Sequence, residues 1–284
     1  MLPITDTHQH LIYPDRFKYD WTGGIDVLRD RSFDIEMYEK LSGGQVSATI
    51  FMETAVDVDH YRRETEFALD LAKRDDTSMC GVIAAAFPEN DVEFEEWLEI
   101  TGYNPLVLGY RRVLHVVDDE VSRGHKFRKN VRSIGELGKT FDMCFLEGQL
   151  EIAVELATYC DNTQLILDHC GVPNIASGDM TFWREKISDL ARMEHVACKI
   201  SGLVSYCSPE QEQATAVTPY IEHVLEAFGP ERCVWGGDWP VVNMATDLPD
   251  WIGMTKAILA EETSENLEKI LSLNANTIYG TSFT

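Results

Sequence analysis

Basic residues are scarce in this chain: 24 lysines and arginines face 48 aspartates and glutamates in 284 residues, a formal net charge of −24. Binding to polyphosphate needs a basic footprint that releases counterions, so this balance argues strongly against nucleic acid as a partner. It also disfavours anionic membrane surfaces, while leaving open a small ligand in a locally different cleft. Long apolar runs are missing, since no window approaches the roughly 18 uninterrupted apolar residues of a membrane span. The opening Met1-Leu2-Pro3-Ile4-Thr5-Asp6 has neither the basic nor the apolar region of a secretory leader. A cytoplasmic protein without a membrane span is therefore expected. Paired cysteines are absent too. The seven (Cys80, Cys144, Cys160, Cys170, Cys198, Cys207, Cys233) are scattered singly and odd in number, which argues against a disulfide framework or a zinc ribbon and reads mostly as buried free thiols. Neither G-x-G-x-x-G after the first strand nor G-x-x-x-x-G-K-[ST] occurs, so no nucleotide cofactor is expected.

What is present is a globular composition. Hydrophobic residues make up 44% of the chain, enough for a full core and too many for a disordered polymer. No repeat, low-complexity tract or linker marks a boundary, so a single domain over residues 1–284 is expected. Eight short apolar or β-branched runs recur, at 2–7, 46–53, 80–87, 106–113, 141–146, 164–169, 196–201 and 233–238. Between them lie amphipathic stretches such as Phe67/Ala68/Leu71/Ala72, Ile152/Ala153/Leu156/Ala157/Cys160 and Tyr220/Ile221/Val224/Leu225/Phe228, each giving one apolar helix face. Alternating βα units build either an open doubly wound sheet or a barrel. The placement of polar residues selects the barrel. His8 and His10, Glu53, Arg111, His169, Lys199 and Asp238 each fall in or just beyond the end of a different run. In a TIM-like (β/α)8 barrel, regular or distorted, those C-terminal strand ends converge on one face, where catalytic groups lie.

Three motifs carry chemistry. In Asp6-Thr7-His8-Gln9-His10 the period of two points both imidazoles to one side, with Asp6 on that side as well; such a pair chelates a metal or aims two N–H donors at one oxygen. Leu165, Leu167 and His169 are expected to share the inward face of their strand, which leaves Asp168 pointing away to hold backbone at the Gly171-Val172-Pro173 turn. In Trp235-Gly236-Gly237-Asp238-Trp239-Pro240 a carboxylate at a strand end can serve as general base or as metal ligand, or simply as a turn former. His60, His125, His195 and His223 read as surface residues. The acidic stretch with Glu93, Glu95, Glu96 and Glu99 surrounds Phe94, Trp97 and Leu98 and reads as a solvated helix face.

Taken together, H-x-H, then His, then Asp at strand ends resembles the ligand order of the amidohydrolase superfamily. The chain is similar to its sugar-lactonase branch, which includes L-fuconolactonase and L-rhamnonolactonase, and more distantly to the 2-pyrone-4,6-dicarboxylate lactonases. The resemblance runs through Asp6 to His10 followed by Asp15-Arg16-Phe17-Lys18-Tyr19-Asp20-Trp21, then Gly109-Tyr110-Arg111-Arg112-Val113-Leu114-His115. It continues through Phe141-Asp142 with Leu150 downstream, Leu167-Asp168-His169-Cys170-Gly171-Val172-Pro173, Cys198-Lys199-Ile200-Ser201-Gly202-Leu203, and Trp235-Gly236-Gly237-Asp238-Trp239-Pro240-Val241. Two departures, Leu11-Ile12 after the H-x-H and Arg112 after Arg111, are expected near the substrate mouth. No lysine stands where a carbamylated bridging ligand would, so a binuclear centre is not expected.

The resemblance implies hydrolysis of a sugar-acid lactone of the L-fucono-, L-rhamnono- or L-galactonolactone kind. Asp238 would be the base, and His8, His10 and His169 would polarise the carbonyl, either directly or through one divalent ion such as Zn²⁺. Glu53 would be a further ligand of that optional mononuclear site, or its orienting partner. Arg111, His115 and Lys199 are candidates for gripping the substrate, with a Lys199–Glu53 ion pair as the structural alternative for the lysine. Trp21 and Trp239 could stack on a sugar face or belong to the core. Two rivals remain: a metal-dependent non-oxidative decarboxylase on the same scaffold, and a non-catalytic barrel that binds a sugar acid. Monomer and homodimer are both compatible with the sequence.

Overall fold

A computed structural model describes residues 2–281. The eight expected runs form eight strands: β1 (Ile4–Gln9), β2 (Val46–Met52), β3 (Met79–Ala85), β4 (Val107–Val113), β5 (Thr140–Cys144), β6 (Gln164–Leu167), β7 (Val196–Ile200) and β8 (Cys233–Trp235). Neighbours in sequence are parallel neighbours in the sheet. The last gap closes just past the strand ends. There Asp238 N donates to His8 O and His10 N donates to Trp239 O, both at 2.8 Å, around a Gln9–Trp239 parallel bridge. The result is the (β/α)8 barrel that the polar strand ends imply.

Helices follow the strands in turn: α1 (Ile35–Ser42), α2 (Tyr61–Ala72), α3 (Asp91–Thr101), the pair α4 (Glu120–Arg123) and α5 (His125–Glu136), α6 (Leu150–Tyr159), α7 (Thr181–Ala191), α8 (Gln213–Phe228) and α9 (Leu248–Ile258). Local signals set their ends. Asp34 Oδ1 accepts from Met37 N at 2.8 Å to start α1, and Gly43 stops it in a left-handed turn at φ 58. The chain finishes with α10 (Ser264–Glu268), a π-helical turn at Lys269–Leu273 and α11 (Asn274–Tyr279).

Two apolar layers result. Outward strand residues such as Phe141, Leu165, Leu167 and Trp235 are buried with the helices in one large core. Inside the barrel, Ile50, Met52, Ile83, Leu108, Ile166 and Ala197 pack with Ala275 and Tyr279 of α11. Asn274 Nδ2 donates to the carbonyl of Cys233, the first residue of β8, at 2.8 Å, so α11 stoppers the end opposite the strand C-termini. Ile166, rather than Leu165 and Leu167, faces inward. The expected phase of β6 is thus off by one residue, which carries Asp168 into the barrel instead of away from it. All seven cysteines are free, and five of them are buried. Among the described residues no helix is long and apolar enough to cross a membrane.

Candidate active site

His8 and His10 meet at the C-terminal mouth of β1, their Nε2 atoms 3.1 Å apart. His10 Nδ1 lies 3.0 Å from the Met52 carbonyl. A carbonyl only accepts, so the proton sits on Nδ1 and Nε2 presents a lone pair. Asp238 Oδ1 stands 3.7 Å from His8 Nε2 and 3.6 Å from His10 Nε2. His169 arrives by a different route from the one expected. Beyond β6 the backbone turns left-handed at His169 (φ 53) and Cys170 (φ 52), folding the imidazole back until its ring centre is 4.5 Å from that of His8. Its Nδ1 is 2.9 Å from Ser201 Oγ. Asp238 is itself at φ 52, and positive φ in bulky residues gathered at one mouth is the kind of strain that active sites hold. Gly202 makes room for the pair. A Cβ on it would lie 2.6 Å from His169 Nδ1 and 2.9 Å from Asp238 Oδ2.

A buried ionic layer lies beneath. Arg111 Nε donates to Glu53 Oε1 at 2.6 Å and its Nη2 to the Glu53 carbonyl at 2.7 Å, while Nη1 is 3.4 Å from His8 Nε2. Lys199 is fully buried against Asp142 and Asp168; it neither pairs with Glu53 nor reaches the substrate cavity. Asp6 does not face the imidazoles. A register shift between Asp6 and Gln9 turns it toward α1, where it accepts from Tyr38 Oη at 2.6 Å and from Gly237 N at 2.8 Å. Burial holds His8 and His10 well below the usual imidazole range and His169 at about 4, so all three are neutral. Burial lifts the Asp238 carboxyl well above its usual range. It acts the same way on Asp168, but Lys199 and His8 reverse it and hold that carboxyl well below the usual range.

Above this floor opens a cavity of 430 Å³ lined by His10, Trp21, Arg111, His115, His169, Tyr206 and Asp238, among others. Trp21 is held by its Nε1–H to the Thr54 carbonyl at 2.9 Å, and His115 Nδ1 lies 3.3 Å from Cys144 Sγ. Trp239 does not line the cavity. It is fully buried, edge-on to Phe33 and Tyr38. Leu11 and Ile12 are likewise core residues, because the chain beyond His10 dives to bridge Phe33. Arg112 lines an adjoining cavity, stacked 4.6 Å over Phe87 and paired with Glu89. His60, His125, His195 and His223 stand apart from the mouth; His125 is exposed, while the other three, expected at the surface, are half-buried. Asp142, Ser201 and Tyr206 carry parts of the site to which sequence reasoning gave no role, and Asp168, expected to hold backbone at the turn, joins them. Asp142 had a readable signal: a lone carboxylate in an apolar strand, matched by a lone lysine in another.

Could these residues hold a metal? Two sets of ligand atoms lie within 4.8 Å of one another among the described residues, His8/His10/Asp238 and His8/Asp168/His169. Glu53 belongs to neither, since Arg111 and the Ala55 amide engage both its oxygens. Two facing imidazole nitrogens, one of them with its proton fixed on the far side, and a carboxylate form a donor set suited to Zn²⁺.

Residues 5–281 match the amidohydrolase family, and the chain belongs to it. Several relatives are named for lactone hydrolysis. An L-fucono-1,5-lactonase from Burkholderia multivorans is 28% identical over 84% of this chain and 83% of its own length, and a 4-sulfomuconolactone hydrolase from Rhizobium radiobacter is 25% identical over 83% and 75%. The fold matches a zinc-bound amidohydrolase from Burkholderia multivorans with a TM-score of 0.89, at 24% identity over 98% of this chain and 99% of that one.

Proposed function

We propose that this protein hydrolyses a neutral sugar-acid lactone of the L-fucono-, L-rhamnono- or L-galactonolactone kind. One observation carries the choice of a neutral substrate. Among the described residues lining the cavity, the sole Lys or Arg side chain is Arg111, and its guanidinium is already engaged by Glu53 on two sides. The rim acids Asp20 and Asp57 are matched by Lys18 at 2.7 and 2.8 Å. Among the described residues no unpaired cation faces the cavity to balance a sulfonate, a dicarboxylate or the carboxylate of a decarboxylase substrate. The L-fucono-1,5-lactonase relatives support the same choice.

Lactone opening needs a deprotonated water on one side of the carbonyl and stabilised charge on its oxygen. Asp238, its proton affinity raised by burial, takes the proton at a carboxylate oxygen as the water oxygen bonds to the carbonyl carbon. The ring C–O bond then breaks, and Asp238 returns the proton to the leaving alkoxide, giving the free hydroxy acid. The neutral imidazoles polarise the carbonyl. His169 Nδ1 shares a hydrogen bond with Ser201 Oγ at 2.9 Å; with the hydroxyl as donor, that ring's N–H is on Nε2 and free to face the carbonyl oxygen. A divalent ion held by His8, His10 and Asp238 would supply Lewis-acid polarisation of the same oxygen.

A pH-indicator assay on a lactone panel tests this with protein as isolated, after chelation and after zinc addition. Neutral deoxysugar lactones should turn over in all three conditions, and sulfonated or dicarboxylated lactones at least about a hundredfold more slowly, as expected where a buried charge lacks its partner. Preference for the anionic lactones would overturn the neutral substrate, and a blank panel would overturn lactone hydrolysis. Loss of all activity on chelation, restored by zinc, would make the ion essential.

A further inference from the structure

The catalytic cavity continues on the side of β2, β3 and β4. It shares Ala55, Val56, Arg111, Val113 and Val116 with a second cavity of 470 Å³, formed where the chain leaves those three strands. Arg111 belongs to the wall they have in common, and its partner Glu53 lines the second only. Either volume is of a size that takes a small ligand, so a single sugar ring with its carbonyl at Asp238 does not need the second. Yet the side chamber has polar groups of its own. Arg112 Nε donates to Glu89 Oε1 at 2.9 Å, and Nη2 stands 2.8 Å from the same oxygen. The guanidinium lies 4.6 Å over the Phe87 ring, which holds it in place. Glu89 Oε2 is buried and has no hydrogen-bond partner among the described residues, an acceptor that the fold itself leaves unused. Charge in the lining is balanced, since Arg111 is paired with Glu53 and Arg112 with Glu89. Val58 and Val113 add apolar surface. Hydrogen-bonding groups and apolar walls without net charge suit a neutral polyol, whose hydroxyls alternate with C–H faces.

We propose that the side chamber is a second sugar subsite, which takes a neutral glycosyl unit attached to the lactone, so that the protein accepts disaccharide aldonolactones. A hydroxyl of the distal ring donates to Glu89 Oε2 and accepts from an Arg112 N–H, while Val58 and Val113 meet its C–H face. The proposal rests on the lactonase reading for the chemistry at Asp238, but not for the binding of the distal ring.

The test compares D-gluconolactone with its 4-O-glycosylated forms, cellobionolactone and lactobionolactone, in wild type, Arg112→Ala and Val58→Trp. Val58 lines the chamber but not the catalytic cavity and is 56% exposed, so a tryptophan there fills the chamber without disturbing the core. Wild type should prefer the disaccharide lactones at least about tenfold in kcat/KM, which is what one hydrogen bond to a charged group contributes. Both variants should lose that preference through KM rather than kcat. A purely structural role for the Arg112–Glu89 pair would lower Tm in Arg112→Ala and leave the preference as it is. Binding is read apart from turnover by calorimetric titration of Asp238→Asn with the same lactones. Disaccharide lactones that bind more tightly than D-gluconolactone, yet are not hydrolysed by wild type, would keep the chamber and end the lactonase reading. Turnover with no gain from the second ring, or a gain that survives either variant, overturns the chamber and leaves lactone hydrolysis standing. Disaccharide lactones neither bound nor hydrolysed overturn the chamber as well, the lactonase reading being decided by the single-ring panel.

Discussion

Asp238 illustrates what a single residue contributes at the mouth of this barrel. Its carboxylate faces two imidazole nitrogens at 3.6 and 3.7 Å, and burial raises its proton affinity. A group that must be ionised to accept a proton loses function as pH falls through its own pKa. The acid limb of the pH–rate profile should therefore lie above the usual carboxylate range. Asp238→Asn keeps the shape and removes the proposed base. We expect kcat to fall by about 10²–10⁴, the usual span for a lost general base, with KM changed little and that acid limb abolished. Tm should hold or rise, because a buried carboxylate is costly in the fold. Kinetics and melting curves on one preparation decide it, and an unchanged kcat would remove Asp238 from the mechanism. Residue identity at this scale was readable in the sequence, since His8, His10, His169 and Asp238 do converge. Direction was less readable. Trp239, two positions past Gly237, packs into the core, and nothing in an aromatic's identity says which face it takes.

At the scale of the element, phase decides what a strand delivers. β6 presents Ile166 inward, and Asp168 just past its end follows in the same phase; a strand of four residues between apolar layers has no alternation to fix its phase, because both faces are buried. His169 reaches the site only because positive φ at His169 and Cys170 reverses the chain. Helical faces were easier to read, since a single apolar stripe has one orientation. The turn after β7 shows the same dependence on backbone. Gly202 has φ 67, and a Cβ there would sit 2.6 Å from His169 Nδ1 and 2.9 Å from Asp238 Oδ2. Gly202→Ala should cost roughly 1–2 kcal/mol for the left-handed backbone. It should also lower kcat by about a hundredfold, because displacing reacting groups by an ångström has that effect. Gly23→Ala, where a Cβ meets nothing within 4 Å, is the matched control and should leave both unchanged. Equal activity in the two variants would show that Gly202 serves only the turn.

Across the whole molecule, catalytic mouth, ionic layer and apolar stopper are stacked along the barrel axis. The eight-run pattern foretold the barrel, but not that its far end would be filled from α11, because no local signal ties a C-terminal helix to the interior of a barrel. Tyr279 is the joint between the lower two layers. It is 4% exposed, packs among Ile50, Ile83, Leu108 and Ile166, and places its hydroxyl 3.3 Å from Asp142 Oδ1. Removing only the hydroxyl, as in Tyr279→Phe, should cost about 1 kcal/mol, the net worth of one hydrogen bond. Tyr279→Ala opens a cavity and should cost about 3–5 kcal/mol. Its effect on KM should be small, because Tyr279 lies beneath the ionic layer and outside the cavity lining. Urea denaturation of both variants, with lactone kinetics measured below the unfolding transition, separates stability from catalysis. A Tyr279→Ala protein of parental stability would mean that α11 is an ornament on a barrel already closed. A large loss of stability with KM preserved would show that the end of the chain holds the barrel together from the face opposite its chemistry.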